Sequence, residues 1–161
     1  MTLDDWDNSY SSDKELANEI VNADRLIAIY GRIPTFDSAE ILSLKMLRGN
    51  ALDCMETGNW EDHKRVALIA EMFIFDERYS DSDARRNPAN VTIIFDGIAE
   101  IELEGFNHQN AICGLSIRRQ FSERLKRNLF RVDWGGAAIK HDVSLICETV
   151  TIESVEKLTG T

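Results

Sequence analysis

The stretch Glu40-Ile41-Leu42-Ser43-Leu44-Lys45-Met46-Leu47-Arg48, EILSLKMLR, decides which fold classes this chain can adopt. Leu42, Leu44 and Met46 alternate with Ser43 and Lys45. A period of two sends alternate side chains to opposite faces, so the stretch reads as a half-buried strand, ending at Gly49-Asn50. Upstream the period is different. Leu16, Ile20, Ala23 and Ile27 recur at three- and four-residue intervals, and Glu15 stands three residues after Ser12 in capping-box spacing. This predicts a helix from about Asp13 to Ala23, with a pattern that carries on to Tyr30. Gly31 suits its exit and Pro34 bars continuation. The chain switches from helix to strand between Gly31 and Glu40.

Downstream the strand signal repeats. Arg65 to Phe75, RVALIAEMFIF, is apolar on both parities, as a central strand covered on both sides would be. Asp76 to Asn90 is charged, contains Pro88 and reads as an exposed loop. Val91 to Phe95 is a strand, and Asp96-Gly97 a tight turn or bulge. In Glu100 to Glu104, Ile101 and Leu103 are expected inside, with Glu100, Glu102 and Glu104 toward water. Ile112 to Ile117 is a further short strand. Leu129 to Trp134 places Phe130, Val132 and Trp134 on one face against Arg131 and Asp133 on the other, and Gly135-Gly136 is a hairpin signal. Val143 to Val155 is one long strand or two short ones. About seven strands without β-α-β alternation predict a mainly β (α+β) fold, an antiparallel sandwich or strongly curled sheet with one amino-terminal helix.

The 161 residues are one domain's worth, with residues 1–11 read as a flexible amino-terminal segment. Nothing reads as a membrane helix or a signal peptide, so the expected address is cytoplasmic. The formal net charge of −10 disfavours nucleic acid as a partner and suits a basic protein. The exception to that acidity is the basic stretch from Arg118 to Arg131. Cys54, Cys113 and Cys147 are an odd count without C-x-x-C, which argues against a disulfide framework or cysteine zinc site.

Candidate chemistry is sparse. His63, His108 and His141 form no H-x-x-x-H or H-x-H pair. Asp81-Ser82-Asp83 begins like a calcium loop, but Arg85 and Arg86 occupy ligand and glycine positions. No P-loop, G-x-S-x-G or G-x-G-x-x-G occurs, and no cofactor is expected. Cys113 lies five residues from His108, which invites a dyad, yet its neighbours Ile112 and Gly114 suit a buried thiol. Glu100, Glu102 and Glu104 would project from one strand face at about 7 Å intervals. They read as a wet face, as an acidic docking surface, or as an acid/base pair across a glycosidic bond. In Gly105-Phe106-Asn107-His108-Gln109-Asn110-Ala111-Ile112, the amides of Asn107, Gln109 and Asn110 suit a β-corner, Gly105 its bend, and Phe106 an anchor in the core.

Ile33-Pro34-Thr35-Phe36 with Ala39-Glu40-Ile41, then Ile94-Phe95-Asp96-Gly97-Ile98, then Leu103 to Ile112, resemble the bacterial immunity protein 50 family. The likeness runs from about Asp24 to the carboxyl end. It is marked by Gly105, Phe106, Asn107, Gln109 and Asn110, with Pro34, Phe36 and Glu40. The family's early motif often reads Phe-His-Asp-Ala-Glu. Here Asp37-Ser38 follow Phe36, and without the histidine Pro34, Phe36 and Glu40 read as packing features rather than ligands. The resemblance implies stoichiometric inhibition of a cognate toxin domain in the cytoplasm, without chemistry. A toxin with a basic substrate groove would meet an acidic face, which we place on Glu100, Glu102 and Glu104 with Asp76, Glu77, Asp81 and Asp83 on a neighbouring loop. The sequence leaves open a homodimer through an edge strand. It also leaves open a carbohydrate- or small-ligand-binding β-domain, with Trp60 or Trp134 exposed in an apolar pocket, and a hydrolase using paired carboxylates.

Overall fold

The computed structural model describes residues 18–48, 58, 65–76, 87–104, 112–136 and 142–158. In chain order these hold α1 (Asp24–Tyr30), β1 (Glu40–Arg48), β2 (Val66–Ile74), β3 (Ala89–Asp96), β4 (Glu100–Leu103), β5 (Ile112–Ser122), β6 (Arg127–Gly136), β7 (Asp142–Cys147) and β8 (Thr149–Lys157). The eight strands form two four-stranded antiparallel sheets, ordered β1-β2-β3-β8 and β4-β7-β6-β5. The expected mainly β fold with a helix near the amino terminus is therefore present.

Both sheets turn their apolar parity inward. Leu68, Ala70, Met72 and Ile74 of β2 and Val91, Ile93 and Phe95 of β3 are buried, facing Leu115, Ile117, Val132, Trp134 and Leu145 of the other sheet. Phe95 and Trp134 bring their ring centroids to 5.8 Å across the interior. On the other parity of β2, Ile69 and Phe73 are half-buried and Glu71 is exposed, so the strand is not covered equally on both sides as its composition suggested. A strand in a two-layer fold has only one core to face.

Four further expectations shift. The helix does not run unbroken from the amino-terminal region to Tyr30. Residues 18 and 19 are helical, but Asn22 takes φ +61° and Val21 forms a parallel bridge with Thr151. Val21 donates its N–H to Val150 O and accepts one from Ile152 N, which removes it from any helix ladder. In β1 a bulge between Ile41 and Ser43 shifts the register. Ile41 is buried and Leu44 packs on the core, while Leu42 and Met46 are each 50% exposed. Leu103 of β4 is 46% exposed rather than inside, because β4 is an edge strand near the rim. Gly135-Gly136 lie within the end of β6, opposite Gly114 and Ile112, not in a turn.

Two crossings join the sheets. Between β3 and β4 the chain changes sheet over residues 97–99, and between β7 and β8 it changes back through Glu148 alone. Glu148 N–H lies 3.0 Å from Asp96 O and 3.2 Å from Gly97 O, so the crossings brace each other. On the far side, Thr35 to Ala39 hydrogen-bonds to β5: Ser38 N–H to Ile112 O, Ile112 N–H to Ala39 O and Leu115 N–H to Thr35 O. Phe36 enters the core there with φ +62°, an unusual conformation for an aromatic residue.

A Cβ at Gly97 (φ +68°) would meet the Glu148 side chain, at 2.6 Å from Cγ and Cδ, and force it to move. The Glu148 side chain is held by Arg65 at 3.1 Å and Arg127 at 2.6 Å, so it cannot swing aside freely. Gly31 has a similar φ of +72° and open space around it. Denaturant unfolding should therefore separate the two sites. Gly31→Ala is expected to cost about 1 kcal/mol from backbone conformation alone, and Gly97→Ala about 2–4 kcal/mol once the clash is added.

Candidate functional site

The outer face of the β4-β7-β6-β5 sheet carries the candidate site. Register places Glu100 opposite Ile146 and Ile146 opposite Arg131, while Glu102 stands opposite Ser144 and Ser144 opposite Asp133. The two glutamates thus form one wall of a furrow, Ser144 and Ile146 its floor, and Arg131 the opposite wall. The open groove holds about 390 Å³ and is lined by these residues with Ile101 and Leu145. At about 4.8 Å per strand, its walls stand roughly 10 Å apart.

The cation in the groove is already occupied. Arg131 donates from Nε to Asp133 Oδ2 at 3.1 Å and from Nη2 to Ser144 Oγ at 3.3 Å. Arg118 Nη2 lies 3.9 Å from the same Asp133 oxygen. Glu100, Glu102 and Glu104 are exposed, and none of them forms an ion pair with a described residue. Their wet placement agrees with the alternation in the sequence.

Asp76 does not join them. It is only 3% exposed, just past the end of β2, where the apolar parity of that strand carries it inward. It is removed from the docking surface. Glu77, Asp81 and Asp83 lie outside the described residues, as do Gly105, Phe106, Asn107, Gln109, Asn110, Trp60, His63, His108, His141 and residues 1–11. Pro34 and Phe36 are buried and Glu40 is exposed at the start of β1. The segment they occupy bonds to Ile112, so two stretches more than seventy residues apart in sequence meet at one seam.

The basic stretch resolves into a hairpin, since β5 runs on to Ser122 and pairs with β6 from Arg127. Its charges are largely matched. Arg119 donates to Glu19 at 2.6 Å, a bond that raises its pKa, and stacks 4.5 Å above the Phe130 ring. Lys126 pairs with Glu123 at 2.8 Å and Arg127 with Glu148 at 2.6 Å.

Among the other sequence candidates, Trp134 is 1% exposed and packed on Phe95, so it offers no stacking platform to a ligand. Among the described residues no three His, Cys, Asp or Glu side chains are grouped to hold a metal, and no helix is long and apolar enough to cross a membrane. Cys147 is fully buried. Burial, helped by the charges of Asp96 and Glu148, pushes its thiol from 9.0 up to about 12. Only a thiolate reacts readily, so Cys147 is inert in the folded chain. Because the pKa is raised on folding, this thiol's contribution is fully present below pH 9 and is lost as pH rises toward 12. Iodoacetamide at pH 8, followed by peptide mapping, should leave Cys147 unmodified in the native protein and alkylate it in denaturant. Rapid native labelling would contradict its placement.

Arg131, Ser144 and Ile146 were not singled out as site residues from the sequence. The outward parity of Arg131 was legible, but the pairing of β4 with a strand about forty residues downstream was not. Comparison with protein-family models gives no match, and neither the curated proteins nor the solved structures include a match.

Proposed function

We propose that this chain is a stoichiometric protein inhibitor that binds a cognate bacterial toxin domain in the cytoplasm through the acidic wall of the outer groove. The observation that carries the reading is the set of exposed carboxylates of Glu100 and Glu102 on β4, with Glu104 just beyond, left without cationic partners among the described residues. The resemblance of residues 33–41 and 94–112 to immunity proteins supplies the class of partner. Binding suits this surface better than hydrolysis. A carboxyl general acid at neutral pH needs an apolar, desolvating surround, whereas these side chains stand in water. A toxin acting on nucleic acid presents a basic groove, and an unneutralised acidic face gives fast, salt-sensitive association with such a surface.

Growth rescue by co-expression with a toxin encoded beside this gene is the direct test; failure to rescue would remove the reading. For the surface itself, the triple change Glu100→Gln, Glu102→Gln, Glu104→Gln is expected to slow association about tenfold or more at low salt and flatten its salt dependence. Asp76→Asn should leave association unchanged and act on stability instead, because Asp76 is buried. Unchanged kinetics in the triple variant would move the binding surface elsewhere.

A further inference from the structure

The acidic wall is also an edge. β4 is outermost in its sheet, paired with β7 on one side and with no described strand on the other. Alternate residues of a strand turn their N–H and C=O to the same side, so two of its four residues direct outward backbone groups that no described strand pairs. Its side chains alternate as well: Glu100 and Glu102 lie on the outer face, Ile101 and Leu103 on the other, with Leu103 half exposed.

Resting on the reading of this face as partner-binding, we propose that the open edge of β4 accepts an extended segment of the partner as an added strand. Lysine or arginine at alternate positions would stand opposite Glu100 and Glu102, with apolar residues between them opposite Ile101 and Leu103. Directly opposed side chains on paired strands come within about 5.5 Å, close enough for ion pairing. Arg131 does not compete for the glutamates, because Asp133 on its own strand and Ser144 on β7 already hold it. A second copy of this chain is a poor occupant. Antiparallel self-pairing centred on Glu102 would oppose Glu102 to Glu102 and Glu100 to Glu104, and opposed like charges repel. Of the other outermost strands, β1 carries a bulge and the cations Lys45 and Arg48, β5 is bonded at its start by residues 35–39, and β8 is bridged by Val21.

The test needs no toxin. Three synthetic peptides are titrated against the full chain: one alternating lysine and valine, one with the same residues in two blocks, and one alternating but N-methylated at the amides that would face β4. Backbone amide exchange over residues 100–103 is read alongside affinity. The proposal expects the alternating peptide to bind best and slow that exchange. The N-methylated peptide should bind about tenfold more weakly, from the loss of two backbone hydrogen bonds. Glu100→Gln with Glu102→Gln should weaken the alternating peptide about fivefold, as two exposed ion pairs would. Equal binding of all three peptides, or no binding, overturns strand addition. Growth rescue is scored separately. Rescue without peptide discrimination overturns this inference alone, and peptide discrimination without rescue overturns the toxin reading alone.

Discussion

The architecture depends on the corner where Gly97 and Glu148 pass each other. Both connections between the sheets on this side run through it, and each is too short to reach the second sheet by any detour. At φ +68° a Cβ at position 97 would push the Glu148 side chain from its place over the corner. The surrounding ion pairs, Arg65 with Asp96 at 3.0 Å and with Glu148 at 3.1 Å, and Arg127 with Glu148 at 2.6 Å, look like the stronger feature. They are not. Their side chains are between 29% and 50% exposed, and water-screened pairs of this kind contribute about 0–1 kcal/mol each. The backbone bonds from Glu148 N–H and the space reserved by Gly97 set the corner, while the ions hold the glutamate side chain over it.

The opposite seam works by a different balance. Phe36 and Ser38 both sit at positive φ, near 60°, which costs about 1–2 kcal/mol at each. Burying the Phe36 ring contributes about 1.5–3 kcal/mol, and the backbone bonds to Ile112 and Leu115 add to it. The strained turn therefore stands because its ring and its backbone are both anchored in the second sheet. This gives Pro34 and Phe36 a structural purpose beside the turn that ties β5 of one sheet to the start of β1, at Glu40, in the other.

Much of this fold was legible because period-two alternation is a local property. The stretch Glu40 to Arg48 became β1 residue for residue, and the inward set Phe130, Val132 and Trp134 was read correctly from parity alone. What failed was nonlocal. Val21 leaves the helix because Thr151, far along the chain, offers its strand edge. Leu42 turns outward because a bulge, invisible in composition, resets the parity of β1. Asp76 reads as solvated by its charge and its neighbours, yet continues the inward row Leu68, Ala70, Met72, Ile74. The acidic wall of the site was visible as a comb, but its floor at Ser144 and Ile146 exists only once β4 and β7 are paired.

The same topology explains why the glutamates of β4 meet no cation among the described residues. On the interior strand β6 the charges find partners nearby: Arg131 bonds to Asp133 on its own strand and to Ser144 on β7, and Arg118 of β5 approaches Asp133. The basic hairpin finds Glu19, Glu123 and Glu148. Among the described residues β4 has one neighbouring strand, β7, which presents Ser144 and Ile146 to its glutamates rather than a cation. Among the described residues Glu100 and Glu102 are thus left without a cationic partner by their position in the sheet as well as by local composition. Because the unmatched charge and the unpaired backbone fall on the same short strand, one basic extended segment would satisfy both at once.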